Sequence, residues 1–320
     1  MKAIVCTRYG PPEVLQLKEV EKPFPKSSEV LVKVYATAVH SGDCRMRSLD
    51  LSGVSFPQRI MARLVLGATR PRKPILGLWL SGEIETTGKS VKRFRVGNKV
   101  YARTPDTQFG AYAQYTCLPE NSIMALKPAN VTYEETVAVP FGGLTALHFL
   151  GKGGIRSGQK VLIYGASGAV GTSAIQLARY YGAEVTGVCS TSNLELVKSL
   201  GAERVIDYTQ EDFTKRNELF DIVFDAVGKT SYAKSKGVLG PKGKYVSVVA
   251  SGHAKMKPEG LNFLTKLVET GKLKPVIDRR YPLEQMAEAH RYVDQGHKKG
   301  NVVITVGHDG EQTGKIGGNS

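Results

Sequence analysis

Cysteine is scarce in this chain, and its cysteines are too far apart to form a paired motif. Cys6, Cys44, Cys117 and Cys189 are the four present, and none has the close spacing of a zinc knuckle or a redox-active pair. The sequence therefore predicts a protein of a reducing, cytoplasmic compartment.

Long apolar runs are also missing. No uninterrupted apolar stretch approaches the ~20 residues that a membrane-spanning helix needs. The first residues, MKAIVC, read as a strand and contain no apolar core of a secretion signal. We therefore expect an intracellular protein with no membrane partner.

Acidic residues are in the minority, since 29 Asp and Glu stand against 44 Lys and Arg, for a net charge of +15. Such a charge attracts nucleic acid, anionic membrane or a phosphorylated small ligand, and charge alone does not choose among them. The 41% hydrophobic and 23% charged residues, with 35 glycines and 15 prolines, are typical of a globular α/β protein. At roughly 150 residues per domain, 320 residues predict two domains.

The hydrophobic pattern changes near residue 128. The first 125 residues read as short strands separated by turns, interrupted by a partly helical segment and long loop over 45–73. After Pro128, strands alternate with helices, as in a parallel sheet with crossover connections. The predicted strands of this sheet cover 160–165, 184–189, 204–207, 221–227 and 244–249. Beyond Pro275 follow an amphipathic helix, a closing strand and a polar tail, 307–320, expected to be mobile.

The motif VLIYGASGAVGTSAIQLA has the pattern of a dinucleotide-binding turn. Ala166, Gly168 and Gly171 occupy its three glycine positions, and Ala169 and Val170 stand between the last two. A strand precedes the turn and a helix opens after it, so unpaired N–H groups at the helix N-terminus are available to a pyrophosphate. The motif predicts a nicotinamide dinucleotide site.

At this point the chain resembles the medium-chain dehydrogenase/reductase superfamily, in its zinc-free quinone oxidoreductase branch, which includes zeta-crystallin-like and reticulon-interacting-protein-like members. The resemblance rests on ordered motifs along nearly the whole length: VLVKVYATAVHSGDCRMR, GEIETTGKSVKRFRVGNKVYA, PFGGLTALHFL, YGASGAVG, IDYTQEDF, FDAVG and GHKKGNVVITV. It implies an α/β protein with a GroES-like, β-rich catalytic domain (1–127 and 276–306) and a Rossmann domain with a doubly wound parallel sheet (128–275). The active site is expected in the cleft between them.

The residues that hold zinc in metal-bearing relatives are replaced here. Leu78, within Gly77-Leu78-Trp79, stands where a ligand histidine is expected, and His40 or Ser41 stands where a cysteine is expected. We therefore predict no metal. Without a Lewis acid, alcohol oxidation is disfavoured, whereas reduction of a quinone or an α,β-unsaturated carbonyl needs only a hydride and hydrogen bonds to the acceptor oxygen. A zinc-free, NADP-dependent alcohol dehydrogenase is the alternative.

The stretch after the second Rossmann strand favours NADPH over NADH. Residues 189–193, CSTSN, contain no carboxylate to bind a ribose diol and offer three hydroxyls and an amide to a 2′-phosphate. The resemblance places Ser190, Asn193 and Tyr208 at phosphate-binding positions. This chain departs from many relatives in having no Lys or Arg within 191–193. The same residues also suit a helix N-cap.

The resemblance carries further roles onto matching residues. Thr145 in FGGLTAL and Gly228 in FDAVG match positions on the nicotinamide side, with a helix start and a turn as their structural alternatives. The segment GHKKGN resembles a cofactor-contacting segment, with candidate residues Lys299, Gly300 and Asn301; its alternative is a solvated turn.

The candidate catalytic residues are His40 and Asp43, in a stretch that lines the substrate cleft of relatives. Either side chain is suited to hydrogen-bond an acceptor carbonyl, but only His40 titrates near neutral pH. A structural role is the alternative for His40. For Asp43 the alternative, slightly favoured over catalysis, is an ion pair with Arg45 or Arg47.

Two further expectations concern partners. An RNA-binding role through basic residues such as Arg63, Arg70, Arg72 and Lys73 is conceivable, but no RNA-binding motif accompanies them, so nucleic acid is not favoured. Only about ten residues, 250–260, separate the fifth Rossmann strand from the next helix, too few for the crossover that precedes a sixth strand. The usual sixth strand is therefore expected to be missing, which favours a monomer or a dimer that does not use that sheet edge.

Overall fold

A computed structural model describes residues 1–52, 55–106 and 108–308 of the chain. The chain forms two compact units. The first comprises Met1–Ser122, Arg280–Gly296 and the segment from Val303, and the second comprises Ile123–Arg279 and His297–Val302. Each unit has its own sheet and core.

Short strands make up most of the first unit, because alternating β-branched and small residues pack on one or both faces of a sheet. Its first elements are β1 (Lys2–Cys6), β2 (Leu15–Glu19), β3 (Glu29–Val39), α1 (Ser41–Ser48), α2 (Phe56–Leu66), β4 (Trp79–Thr87), β5 (Lys99–Arg103) and β6 (Tyr115–Pro119). The segment 45–73, expected to be partly helical, thus carries the end of α1 and all of α2.

The second unit alternates strands and helices as the sequence predicts. Its elements are β7 (Met124–Leu126), α3 (Tyr133–Val137), α4 (Pro140–Gly153), β8 (Lys160–Tyr164), α5 (Ala169–Tyr180), β9 (Glu184–Cys189), α6 (Leu194–Ser199), β10 (Arg204–Asp207), β11 (Phe220–Asp225), α7 (Tyr232–Ser235), β12 (Leu239–Ser247) and α8 (Pro258–Glu269). The chain then continues through β13 (Ile277–Pro282), α9 (Met286–Asp294) and β14 (Asn301–Thr305). Single 3₁₀ turns lie at Pro12–Val14, Thr191–Asn193, Phe213–Lys215, Lys236–Val238 and Leu283–Gln285.

The sheet of the second unit is a Rossmann sheet. Its strand order is β10-β9-β8-β11-β12, and all neighbours are parallel. Within residues 1–52, 55–106 and 108–308 this sheet has five strands, in agreement with the expected lack of a sixth. Its core includes fully buried Leu162, Val188, Ile206 and Val223 from four adjacent strands. The predicted α/β fold with a GroES-like sheet and a Rossmann sheet is confirmed.

The segment after α8 lies at the edge of the antiparallel sheet. In the sheet that contains β3, strands follow the order β13-β14-β3-β4-β5, and β6 also pairs with β3. Arg279 and Arg280 on β13 are exposed, as befits a charged sheet edge. This segment, which the sequence analysis assigned to 276–306 of the catalytic domain, is divided: residues 297–302 pack with the second unit.

The first two residues of the predicted tail, Gly307 and His308, make contacts with the first unit. His308 donates from Nε2 to the Val34 carbonyl at 2.8 Å, and its ring lies edge-on 5.3 Å from the Tyr35 ring and 5.4 Å from the Tyr115 ring. The Gly307 carbonyl accepts a 2.7 Å hydrogen bond from Gln114 Nε2 on the same unit. Gly307 and His308 thus contact the first unit, and the mobile tail from 307 stays a prediction. Its remainder, 309–320, lies outside the described residues.

All four cysteines are free thiols. Burial raises the pKa of Cys6, Cys117 and Cys189 to about 11, and it raises the pKa of Cys44 further still. These thiols are therefore protonated near neutral pH.

None of the helices in the described part of the chain combines the length and the apolar character needed to cross a bilayer.

Candidate functional site

The glycine turn of the second unit connects β8 to α5. The N–H groups of Gly165 and Ala166 both donate to the Val188 carbonyl of β9 at 3.0 Å, which fixes the turn to the neighbouring strand. Gly168 is the N-cap residue, and α5 begins at Ala169. The positive end of a twelve-residue helix therefore follows the turn directly.

The second and third glycine positions of the turn serve different purposes. A Cβ atom on Gly171 would lie 2.2 Å from the Gly165 carbonyl oxygen, so packing of the turn itself requires glycine there. A Cβ atom on Gly168 would meet its nearest neighbour only at 3.6 Å, and its φ of −78° suits any residue. Ala169 and Val170, both buried, hold the first helical turn in place. The protein itself gives no reason for glycine at 168, whereas close approach of a phosphate gives one.

Ser167 links the turn to the residues after β9. Asn193 donates from Nδ2 to Ser167 Oγ and to Ser190 Oγ, at 3.1 Å each. The Asn193 side chain is 8% exposed, and its Oδ1 atom is buried with no hydrogen-bond partner in the described part of the chain. An orphaned acceptor of this kind fits a ligand that brings a donor, such as a ribose hydroxyl. Ser167 was not predicted as a site residue, although it stands inside the glycine motif.

The segment before β14 reaches the same turn. Gly300, at φ +62°, donates its N–H to the Ser167 carbonyl at 2.8 Å. Lys299 Nζ lies 3.4 Å from the Ser192 carbonyl oxygen. Asn301 is buried and donates from its N–H and Nδ2 to the Val276 carbonyl at 2.9 and 3.0 Å. Residues 191–193 have no cation of their own, and Lys299 brings one to them.

A carboxylate also approaches this stretch, which the sequence analysis missed. Asp207 accepts hydrogen bonds from Thr191 Oγ1 at 2.5 Å and from Thr209 Oγ1 at 2.7 Å. The Thr191 hydroxyl is the main cause that lowers the pKa of Asp207, so this group is ionised near neutral pH. Of the three hydroxyls expected to serve a 2′-phosphate, that of Thr191 is therefore engaged elsewhere. The contact follows from the parallel pairing of Cys189 with Asp207, a register that the sequence does not show.

Tyr208 follows Asp207 and is 52% exposed. Its N–H donates to the Cys189 carbonyl at 3.1 Å, and its ring centroid lies 6.4 Å from that of Tyr164. An open cleft of ≈ 550 Å³ beside both rings is also lined by Lys229 and Lys234. It lies by the carboxyl ends of β8, β10 and β11, the edge at which Rossmann sheets bind ligands.

A buried carboxylate shapes the loop that carries Gly228. Asp225, fully buried at the end of β11, accepts hydrogen bonds from four successive N–H groups at 2.8 to 3.3 Å, those of Val227, Gly228, Lys229 and Thr230. The Tyr245 and Ser247 hydroxyls donate to it as well, at 3.2 and 3.3 Å. Asp225 was not singled out from the sequence.

This loop and α4 both pack next to the glycine turn. The Val227 side chain occupies the space beside Gly165, where a Cβ atom would lie 2.5 Å from it. Thr145 is buried on α4, and Gly142 of the same helix packs against the Ala169 carbonyl. The residues predicted from the sequence to bind the nucleotide thus all lie on the second unit, where Asn193 and Gly300 hydrogen-bond Ser167.

His40 and Asp43 lie on the first unit, at the start of α1. His40 is 2% exposed, and its N–H donates to Asp43 Oδ2 at 2.8 Å, while its Nδ1 atom lies 3.5 Å from the same oxygen. The two residues form a capping box, so each holds the other in place. Asp43 is therefore placed to orient the His40 ring.

The expected ion pair of Asp43 with Arg45 or Arg47 does not form. Arg45 pairs instead with Asp50 at 3.3 Å, and Arg47 pairs with Asp294 of α9 at 2.9 Å. The helical geometry of α1 explains the difference, because it turns both arginines toward other elements and leaves Asp43 facing the helix N-terminus.

A second histidine, His290 of α9, lies fully buried on the same unit. Its Nε2 atom is 3.2 Å from the Tyr112 hydroxyl, and its Nδ1 atom is 3.4 Å from Cys44 Sγ. Burial lowers the pKa of His290 to about 4, so the ring is neutral at physiological pH. This residue was hidden in the apolar pattern of an amphipathic helix.

In residues 1–52, 55–106 and 108–308 no three or more His, Cys, Asp or Glu side chains are grouped so as to hold a metal ion. Leu78 occupies the position at which metal-bearing relatives are expected to have a histidine.

Known family models match most of the chain in consecutive parts. Residues 26–128 match the alcohol dehydrogenase GroES-like domain, and residues 169–273 match the zinc-binding dehydrogenase family. A second zinc-binding dehydrogenase match covers residues 251–304.

Individual relatives match almost the whole chain. A 2-methylene-furan-3-one reductase of Solanum lycopersicum is 35% identical over 95% of this chain and 79% of the relative. A chloroplastic NADPH-dependent alkenal/one oxidoreductase of Arabidopsis thaliana is 32% identical over the same shares. The structure of the quinone oxidoreductase from Coxiella burnetii superposes with a TM-score of 0.81 at 27% identity, covering 96% of this chain and 99% of that one. The chain belongs to the medium-chain dehydrogenase/reductase superfamily, in its zinc-free quinone oxidoreductase branch.

Proposed function

We propose that this protein is an NADPH-dependent enzyme that transfers hydride to a quinone or an α,β-unsaturated carbonyl without a metal. The observation that carries the proposal is the meeting of the glycine turn, the Ser190–Asn193 stretch and Lys299 around Ser167. The names of relatives that reduce alkenals, furanones and quinones support the substrate class. A panel of quinones, alkenals and alcohols, scored with NADPH and NADH, tests it.

The chain's residues divide the work of binding the cofactor. The N–H groups at the start of α5, next to Gly168, would bind the pyrophosphate, and Ser190 and Asn193 would bind the adenine-side ribose and its 2′-phosphate. Lys299 would supply a cation to that phosphate, and Tyr208 would cover the same region. Thr145 and Gly228 line the nicotinamide side. When bound, reduced nicotinamide supplies the hydride.

The acceptor is bound through His40. The ring Nε2–H of His40 donates to the acceptor carbonyl oxygen as negative charge develops there, and Asp43 keeps the imidazole in the required orientation. Leu78, at the ligand position, cannot hold the metal that would act as Lewis acid in alcohol oxidation. Alcohol-dependent reduction of NADP⁺ would instead favour the alternative, a zinc-free alcohol dehydrogenase.

Cofactor preference is the first testable consequence. We expect Lys299→Ala to weaken NADPH binding about tenfold and to leave NADH binding nearly unchanged, because only NADPH carries the phosphate that this cation meets. Ser190→Asp should move preference toward NADH by repelling the same phosphate. Lys272→Ala, at an exposed site on the same unit, is the control. Binding is measured by fluorescence titration with both cofactors. Equal use of both cofactors by the wild type, with no response to either change, counts against the assignment.

His40 is expected to tune acceptor reduction. Replacement by alanine should lower kcat/KM on the order of tenfold for quinones and enones, as expected for one lost hydrogen-bond donor. NADPH affinity should stay constant, because His40 lies on the other unit from the nucleotide residues. Steady-state kinetics with several acceptors measure the effect, and unchanged kinetics would return His40 to a purely structural role.

Assembly and location complete the proposal. We infer a monomer, or a dimer through a surface other than the Rossmann sheet edge, because β12 is the last strand of that sheet among the described residues. The four free thiols support a reducing, cytoplasmic compartment. Nucleic acid has no part in the proposed function.

A further inference from the structure

Helix α2 presents its apolar side chains to solvent. None of its eleven residues is buried, and Phe56 and Met61 are 74% and 61% exposed. Three residues spaced four apart, Phe56, Ile60 and Leu64, form one outward row, and Met61 and Val65 lie beside it. The less exposed positions, Ala62 and Leu66, mark the side that faces the protein. The helix is thus amphipathic in the reverse sense of a core helix, with its apolar face outward.

The outward face is bordered by positive charge. Arg59 and Arg63 lie on the helix, and Arg70, Arg72 and Lys73 follow it within one short exposed segment. The sequence contains no Asp or Glu between Asp50 and Glu83. We call the exposed apolar residues of α2 together with these five cations the α2 patch.

The patch is held firmly at one end. The Tyr9 hydroxyl donates to the Leu66 carbonyl at 2.9 Å, and the Arg72 N–H donates to the same carbonyl at 2.8 Å. Arg63 donates to the Ala68 carbonyl at 3.2 Å. These bonds place the Arg70–Lys73 segment next to the C-terminus of α2, so that the apolar row and the cations belong to one surface.

We propose that the α2 patch docks the protein on an anionic lipid surface. An interfacial helix needs apolar side chains to enter the acyl boundary and cations to meet lipid phosphates and carboxylates, and this patch supplies both. A second copy of the chain fits poorly, because a two-fold contact would oppose the same five cations. Such docking needs no spanning segment, and it revises the expectation that no membrane takes part.

Vesicle sedimentation tests the proposal. The purified protein is mixed with vesicles of phosphatidylserine and phosphatidylcholine, and separately with phosphatidylcholine alone. We expect binding to the anionic vesicles only, with a steep decline as salt is raised. Phe56→Glu should lower the partition coefficient by about tenfold. The double replacement of Arg70 and Arg72 by Gln should lower it by about 25-fold, at about fivefold for each cation.

Matched variants separate the patch from the rest of the basic surface. Phe24 is 84% exposed on the same unit, so Phe24→Glu makes the same change of residue and charge elsewhere and should leave binding intact. Phe56→Leu keeps an apolar side chain and should retain binding. Thermal unfolding confirms that each variant is folded.

Three results would overturn the proposal. The first is no binding to anionic vesicles, and the second is binding that Phe24→Glu and Phe56→Glu reduce equally. The third is a concentration-dependent dimer in light scattering that Phe56→Glu abolishes, which would assign the patch to a second copy. None of these depends on hydride transfer, so the proposed function stands or falls separately.

Discussion

Replacing Gly168 by alanine should abolish most NADPH binding and leave the fold intact. We expect an affinity loss of about a hundredfold, because the new methyl group takes the space through which a phosphate approaches the N–H groups of α5. The protein itself accommodates the methyl group, whose nearest neighbour would be 3.6 Å away. Fluorescence titration with NADPH measures the affinity, and thermal unfolding without cofactor measures the fold.

Two other glycines provide the controls. Gly171→Ala should destabilise the second unit severely, because its Cβ atom would lie 2.2 Å from the Gly165 carbonyl oxygen. Gly151→Ala, on α4 with open space around its Cβ position, should affect neither binding nor folding. If Gly168→Ala binds NADPH as well as the wild type does, the turn is only structural.

Replacing Asp225 by asparagine should cost the second unit about 1.5 to 3 kcal/mol of stability. The carboxylate accepts bonds from four consecutive N–H groups and two hydroxyls in a fully buried position. The asparagine NH2 group would replace one carboxylate oxygen and face N–H or O–H groups that need an acceptor. Each buried group left without an acceptor adds a desolvation cost. Hydrogen exchange of the β11 amides reports the stability of this unit directly.

The control for Asp225 is Asp212→Asn. Asp212 also accepts a backbone N–H bond, from Thr214 at 3.0 Å, but at an exposed turn where water replaces what is lost. Its replacement should cost less than about 1 kcal/mol. A loss below 1 kcal/mol for Asp225→Asn as well would contradict the role assigned to the buried carboxylate. NADPH binding should also weaken in Asp225→Asn, since the loop with Gly228 depends on it.

The Rossmann sheet and its turn were predictable from local sequence alone. A five-residue apolar strand, a glycine turn and an amphipathic helix are each indicated by a pattern of a few residues, so β8 to α5 was located correctly. Asp207 and Asp225 were not found, because their partners lie on neighbouring strands or in the following loop and depend on register. Ser167 was overlooked for a related reason, since its two partners come from segments 26 and 133 positions later in the chain.

On the first unit, the sequence did not predict the partners of side chains or the exposed face of a helix. The pattern after Asp43 suggested ion pairs with nearby arginines, but their partners are Asp50 and, from a distant helix, Asp294. The segment 45–73 was expected to be partly helical and partly loop, but the position of helix α2 within it was not predicted, because arginines and prolines interrupt the apolar residues and leave no clear periodicity. Which face such a helix presents follows from packing, which sequence does not report.

The protonated thiols matter for an enzyme of this proposed chemistry. An α,β-unsaturated carbonyl is a soft electrophile that alkylates cysteine, and the attacking species is the thiolate. Cys6, Cys44 and Cys189 are buried, and burial raises the pKa of all four thiols, including the partly exposed Cys117. At neutral pH the thiolate fraction is therefore far below that of an ordinary surface cysteine. The fold thus slows the alkylation of these cysteines by enones.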